Sequence, residues 1–560
     1  MEASCPGKVC APRPLNDRSR SSELEIIVET RTAVATDAAA QLANHAAYLI
    51  KSKVGVTAKS ARSCRAALNA RKARPNASST SDRGYRAKTM ALVDRHSASD
   101  AIVGFDRAGL PRELVAAWLD SDDVLTTDFH RDCEKFSRCW GMGADLLARL
   151  PAKLARSDAQ AAAAATIMER DRAARAKFLD LHVETLYRRL TADFAKFKRI
   201  EDLVSDAAGA VPGLVPDQKQ LSREGALPQK DKDGFEIDQG VFVSRVLGHQ
   251  QCGMHLCHAM LLPRAESAEH SRRFRQNEKI EFAGATLERR GKAAQVTMRN
   301  LRYLNAEDET TLDGLEIVID VATLDPTTDI AILRGDVVEH TKYRGRRLFS
   351  AGINLTHLYQ GKIGYLWYIR RDMGLVNKLF RGIAQHDASP DELIGATAEK
   401  AWIGVVEGFA IGGGCQLLLA LDYVLAASDA YMTLPARKEG IIPGAANLRL
   451  WRFTGDRIAR QAILYGRRLD CDTPEGRLIC DEIVAPSDID DALERVVDGL
   501  TSSGVVSAAG NRRAFRVAEE PLDMFRRYMA VYAREQASCH FSPALIANLE
   551  RNWNAHNPAV

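Results

Sequence analysis

From about residue 112 to 275, apolar side chains recur at three- and four-residue spacing. PRELVAAWLDSDDVL (111–125), GADLLARLPAKLA (143–155) and DAQAAAAATIMERDRAARAKFLDLHVETLYRRL (158–190) set charges between apolar positions at i, i+3, i+4 and i+7. That pattern predicts amphipathic helices. VPGLVPDQKQ (211–220) interrupts the series with two prolines, and VFVSRVLGHQQCGMHLCHAMLLP (241–263) reads as one further helix. After about residue 280 the texture changes. ATLERRGKAAQVTMRN (285–300) alternates like paired strands, TLDGLEIVIDVATLD (311–325) is helical, and DIAILRG (329–335) is a short buried strand. LFSAGIN, a helix, AWIGVVEGFAIGGG, another helix, YVLAAS and YMTLPA follow. Strands alternating with helices predict an α/β domain with much of its sheet buried. Residues 523–554 return to helical spacing.

The expected organisation is therefore a helical domain over 111–278, an α/β core over 279–490 and a C-terminal helical segment over 491–560, serving oligomerisation or covering the site. Residues 1–110 differ from the rest. Between Lys51 and Lys88 lie eleven Lys or Arg and one acid, Asp82, which predicts a basic, flexible and solvated extension. The first hundred residues hold two aromatics, Tyr48 and Tyr85. That is little for stacking on bases, and a net charge of +4 on 560 residues does not call for nucleic acid. The eleven cysteines are odd in number and scattered, which argues against a disulfide framework and for a reducing cytoplasm. No apolar run approaches the roughly 18 residues of a membrane span, and the N-terminus lacks the apolar centre of a secretory signal.

Two groupings invite chemistry they do not support. Cys252, His255, Cys257 and His258 cluster, but no second Cys/His pair stands at zinc spacing, so they read as packing of an amphipathic helix. The glycines Gly412, Gly413 and Gly414 lack the spacing of a dinucleotide fingerprint and its downstream acid. They do open a helix, whose first N–H groups suit an anion or an oxyanion. Gln416, the first polar side chain after them, cannot take a proton.

Two segments carry a resemblance: RRLFSAGINLTHL (346–358) and GFAIGGGCQLLLALDYVLAASDAYMTLPARKEGIIPGA (408–445). With VTMRNLRYLNAEDETTLDGL (296–315) before them, they resemble the crotonase (enoyl-CoA hydratase/isomerase) superfamily. The resemblance implies a crotonase-like ββα spiral core, here preceded by the all-helical domain. It also implies an oxyanion hole made by the backbone N–H groups of Ile353 and Gly413, for a CoA thioester carbonyl. Hydratases of the superfamily carry glutamates where this chain has Gln416 and Ala436. Adding water across a double bond needs such an acid/base pair, so simple hydration is not expected.

VPGLVPDQ, DKDGFEIDQGVFVSRVL, HLCHAMLLP, LNAEDE and LWYIRRDMG extend the likeness over about 112–560. They resemble the branch of cofactor-independent dioxygenases acting on 3,5-dihydroxyphenylacetyl-CoA in glycopeptide-antibiotic biosynthesis. That resemblance implies conversion of an arylacetyl-CoA and O2 to an arylglyoxylate and CoA, through an enolate that reduces O2 itself. Neither metal nor flavin is implied. Glu307, Arg371 and Gln416 would hold the ring hydroxyls, with Arg370 competing for the inward position. His340, Arg302 and Arg347 would contact CoA, beside Ala351, Gly352, Asn354, Gly412 and Gly414 of the two motifs. Leu355, Ala436 and Ile441 would wall an O2 niche. Trimers, often paired into hexamers, are the implied assembly. A hydrolase or isomerase using Glu439 or Glu307, and a non-catalytic scaffold, are the alternatives.

Overall fold

The computed structural model describes residues 103–553, apart from 122–123, 392, 394–396 and 504–505. All of these fall in one compact unit, Ser97–Val560. The basic stretch at 51–88 lies outside the described residues.

The helical domain forms as its spacing predicts. Helix Asp158–Leu190 starts at a capping box, where Ser157 accepts from the Gln160 N–H and the Gln160 side chain reaches back to the Ser157 N–H. Asp217 and Gln220 repeat the device at helix Gln218–Gly225. The expected single helix over 241–263 is instead two, Ile237–Gly248 and Gln250–Leu261. His249 leaves the helical region at ψ 124° and its ring accepts from the Cys252 N–H, so it ends one helix and caps the next. Folded structure also starts before residue 111, because Phe105 and Leu110 are buried against Trp118 and Leu146.

The α/β part is built on a seven-stranded sheet. Its strands in chain order are β1 (Lys279–Glu281), β2 (Ala285–Arg290), β3 (Ala293–Met298), β4 (Ile330–Gly335), β7 (Ala401–Val406), β9 (Tyr423–Ala427) and β12 (Glu482–Val484), and they are neighbours in that order. The first three are antiparallel and β3 onward are parallel. β4 is buried at every position, as a strand covered on both faces must be. β5 (Ile383–Ala384) and β6 (Thr397–Ala398) form a small antiparallel pair. A second sheet orders β8 (Phe409–Ile411) beside β10 (Tyr431–Thr433) and then β11 (Leu469–Asp470).

The three regions share one core. A continuous cluster runs from Phe136 and Phe178 through Val296 and Ile403 to Phe525 and Leu549. Helix Leu522–His540 lies along Ile237–Gly248, where a Cβ on Gly240 would come within 2.5 Å of the Ala537 Cβ. Buried charges tie the same seams. Lys378 bridges Glu316 and Asp320 at 2.7 and 2.8 Å, and Glu316 also takes Arg199 of the helical region at 2.9 Å. Glu520 of the C-terminal part accepts from Arg449 at 2.9 Å and from Arg381.

Candidate active site

Two chain segments meet where β8 ends. Gly412 takes φ 50° and ψ −110°, open to glycine alone, and from it helix Gly413–Leu418 begins. Residues 350–354 run alongside: the Ile411 N–H donates to the Ser350 carbonyl at 2.9 Å, and the Ser350 N–H donates to Phe409 at 3.2 Å. Gly352 turns at φ +79°, and a Cβ there would lie 2.5 Å from the Ile411 carbonyl oxygen and 2.9 Å from the Gly413 nitrogen. Gly352→Ala will therefore force the two segments apart. We expect a fall of about a hundredfold in turnover, the scale of one lost oxyanion donor, with KM moved less, as steady-state kinetics will show.

The hydrogen bonds around these segments leave two donors over. Glu307 donates its N–H to Gly352 and accepts from the Asn354 N–H, at 2.7 and 2.8 Å, which turns the intervening Ile353 N–H the other way. The Gly412 N–H goes to Thr433, and Gly413, at the first helical position, has no carbonyl to reach. The Ile353 and Gly413 N–H groups have no partner among the described residues. Both residues line one cavity of about 30 Å³, together with Trp367, Leu434, Ala436, Ile441 and Ile442 on its apolar sides.

Its polar side is organised by Arg371. The helix carrying LWYIRRDMG changes from α to π geometry at Arg371–Val376, a local widening common at functional sites. Arg371 and Asp372 both turn inward there, whereas Arg370 points to Glu309 and Asp313. That settles which arginine faces the site. All five N–H donors of Arg371 are used: two on Glu307 at 2.7 and 2.8 Å, and one each on Asp372, Gln416 and the Gly413 carbonyl at 3.0, 2.8 and 2.9 Å. The neighbouring carboxylates raise the Arg371 pKa further above its ordinary value despite its burial. Burial pushes the Asp372 carboxyl up against the pull of Arg371 and a hydrogen bond from Tyr532.

This network fixes the Gln416 amide. Its oxygen faces the guanidinium, so what it offers the cavity is its NH2. Glu307, expected on the substrate, is instead clasped by Arg371 behind Gly413 and is absent from the cavity lining. A Cβ on Gly413 would stand 2.6 Å from its carboxylate, and one on Gly444 would stand 2.5 Å from that of Asp372. Leu355 packs on the core nearby without lining the cavity, while Ala436 and Ile441 do line it. Gly414 packs against Ser350, and Asn354 caps the helix after it while donating to Asp308 at 2.9 Å.

Of the expected CoA residues Gly412 lines the cavity, while Arg302, His340, Arg347 and Ala351 lie outside it on adjoining segments. The Glu339 N–H bonds to Leu301, and the Ala351 N–H to Leu304. Arg302 is exposed, His340 caps the turn Thr341–Tyr343 at 3.2 Å from the Lys342 N–H, and Arg347 bonds the Gly335 carbonyl. Ala351 packs beside Leu348 and Phe409 under the same loop.

Sequence reasoning missed Asp372, Tyr368 and Tyr532, all of which line the cavity. Tyr532 comes from helix Leu522–His540, whose Gln536 also accepts from the Ile442 N–H at 2.9 Å. Helix Pro543–Trp553 then covers Ala436–Glu439, with Asn552 donating to Lys438 at 3.0 Å. Glu439 is buried against the cavity, and burial alone pushes its carboxyl up to about 7.

The Cys252–His258 cluster is packing. His255 bonds Tyr187 and Phe194 and stacks on Phe197, and His258 bonds Gln385. Among the described residues no group of three or more His, Cys, Asp or Glu gathers as a metal site, and no helix is long and apolar enough to cross a membrane.

The sequence model of the enoyl-CoA hydratase/isomerase family matches residues 288–520. A (3,5-dihydroxyphenyl)acetyl-CoA 1,2-dioxygenase of Amycolatopsis orientalis is 44% identical over 394 residues, 70% of this chain and 89% of its own. A short-chain-enoyl-CoA hydratase of Clostridium acetobutylicum is 27% identical over 42% of this chain and 82% of its own. The crystal structure of an enoyl-CoA hydratase from Mycobacterium avium subsp. paratuberculosis K-10 aligns with 48% of this chain and 98% of its own, at 20% identity and a TM-score of 0.40.

Proposed function

Because the chain belongs to the enoyl-CoA hydratase/isomerase (crotonase) superfamily, we propose that it uses this site to oxygenate (3,5-dihydroxyphenyl)acetyl-CoA, giving the arylglyoxylate and CoA. The observation that carries the reading is the pair of unpartnered N–H groups, Ile353 and Gly413, on a cavity that Ala436 shares. The identity to the Amycolatopsis enzyme supports the choice of reaction.

In this reading the two N–H groups grip the thioester oxygen, where negative charge gathers when the α-proton leaves. The aryl ring spreads the same charge. The enolate then gives one electron to O2, the radical pair combines, and the α-peroxide attacks the thioester carbonyl. CoA leaves as thiolate, and the four-membered ring opens by breaking its O–O bond as the second α-hydrogen departs as a proton. One O2 thus yields one keto acid and one thiol. The reaction as drawn needs no metal or flavin. Ala436, small and apolar, leaves room beside the α-carbon for a diatomic gas, and the Gln416 NH2 donates to a ring hydroxyl. About 30 Å³ of free space suits O2 or a water or two, so seating the ring requires lining side chains to give way. We carry the trimer or hexamer as part of the proposal; exposed Trp451 and Phe515 offer apolar surface for one.

The test supplies this thioester in air, with chelator present, and follows O2 and free thiol. Equal consumption of O2 and release of thiol, unaffected by the chelator, is expected. Thiol without O2 uptake would instead favour a hydrolase, the second reading, which the buried Glu439 carboxylate keeps in view. Ala436→Glu should cut O2 uptake at least tenfold while leaving the Kd of an unreactive acyl-CoA within about twofold. Equal losses in both would remove the gas niche from the mechanism.

A further inference from the structure

We propose that Glu439 is the catalytic base of this site, taking the α-proton of the bound thioester and passing it to the departing CoA thiolate. This rests on the thioester-binding part of the reading above. The superfamily's two carboxylate positions hold Gln416 and Ala436, so the proton must go elsewhere. Glu439 stands one helical turn beyond Ala436, on Ala436–Glu439.

Three observations converge on it. First, a Cβ placed on Gly412 would lie 3.7 Å from Glu439 Oε1. The carboxylate therefore sits beside the Gly412–Gly413 peptide, whose N–H is one of the two oxyanion donors. The α-carbon of a thioester held there is only two bonds from the gripped oxygen. Second, Glu439 is 5% exposed, yet its carboxylate has no hydrogen-bond or ion-pair partner among the described residues. Every other buried carboxylate among them has one: Glu307 and Asp372 on Arg371, Glu236 on the Tyr365 N–H, Asp171 on Trp118. A buried polar group left unpaired against a cavity calls for a role. Third, Glu439 lines the same cavity as Ile353 and Gly413.

The charges around it do not neutralise it. Tyr368, Asp372 and Tyr532 share its cavity, and Arg371 is fully engaged. On the packed helices Glu550 takes Tyr359 and Arg449 takes Glu520. A carboxyl that titrates near 7 through burial suits a base working at neutral pH.

In the step itself the α C–H bond breaks and its proton goes to Glu439 Oε. The electron pair moves into the new C–C double bond, and charge settles on the thioester oxygen. The proton returns when the C–S bond breaks, leaving neutral thiol and a regenerated carboxylate.

The test uses the full chain without O2. An arylacetyl-CoA in D2O is followed by mass spectrometry for exchange of its α-hydrogens, a reading independent of oxygen chemistry. Glu439→Gln is expected to slow exchange by about 10²–10⁴, the usual worth of a positioned base, with the Kd of an unreactive thioether analogue unchanged. Glu439→Asp should retain part of the rate. In the parent, exchange should rise with pH to a plateau with its midpoint near 7. Parent-like exchange in Glu439→Gln overturns the assignment, as does no exchange in the parent. Should Glu439→Gln not fold, a flat parent profile from about pH 5 to 9 overturns it as well. Exchange by the parent in air without O2 uptake would leave Glu439 standing and sink the dioxygenase instead.

Discussion

Replacing Arg371 by leucine will destabilise the protein by about 3–5 kcal/mol, the penalty of leaving a buried charge without its partner. The guanidinium spends every donor on groups as buried as itself, and its removal strands Glu307 behind Gly413 with no solvent to turn to. The mechanism makes a sharper claim through the double variant. Glu307→Leu with Arg371→Leu removes that pair and leaves only Asp372 without its cation, so part of the loss should return, because an apolar pair in place of a buried ion pair is often neutral. Urea unfolding of the parent, the single variant and the double variant checks this. A single-variant loss below about 1 kcal/mol, the range of an exposed pair, would mean that water reaches Glu307. Activity should not recover with stability, since Gln416 loses the partner that fixes its amide.

The second large effect concerns pH. The Glu439 carboxyl ordinarily titrates near 4.5 and is raised to about 7 here by burial. Between those values the folded chain binds a proton that the unfolded chain has released. Stability from this residue is therefore fully present below about 4.5 and lost as pH climbs through about 7, by about 3 kcal/mol in all. Glu439→Gln has no proton to lose. Its melting curves should lack that component, and at pH 8 it should be the more stable protein while being the poorer enzyme. Parallel stability–pH curves for parent and variant would show that Glu439 reaches solvent.

The sequence exposed the scaffold of the site better than its occupants. SAGIN and GGGCQ were legible because the two together resemble crotonase motifs, and both segments contribute N–H groups to the cavity. Glu307 could be named but not placed, since one dimension does not show that Arg371 stands between it and the cavity. The choice between Arg370 and Arg371 was undecidable for a related reason. Adjacent residues on an α-helix diverge by a wide angle, and only the π turn brings Arg371 and Asp372 to one side. Tyr532 gave no signal, because on an amphipathic helix an inward tyrosine reads as core. The division at residues 278 and 490 followed a real change of periodicity, yet one apolar core spans both boundaries. Periodicity reports the faces of single elements and says nothing of which elements share a face.

The helix bearing Tyr532 and the helix laid over Ala436–Glu439 carry a consequence for biosynthesis. Until residues 522–553 have left the ribosome, the apolar flank of Ile237–Gly248 and the wall behind Glu439 have nothing to close against. A chain that stops short of them lacks Tyr532 on the cavity of Ile353 and Gly413 and the cover over Ala436–Glu439. A product shortened before residue 522 would expose the apolar residues that Phe525, Met529 and Leu545 now cover, and the proposed reaction would lack a closed site.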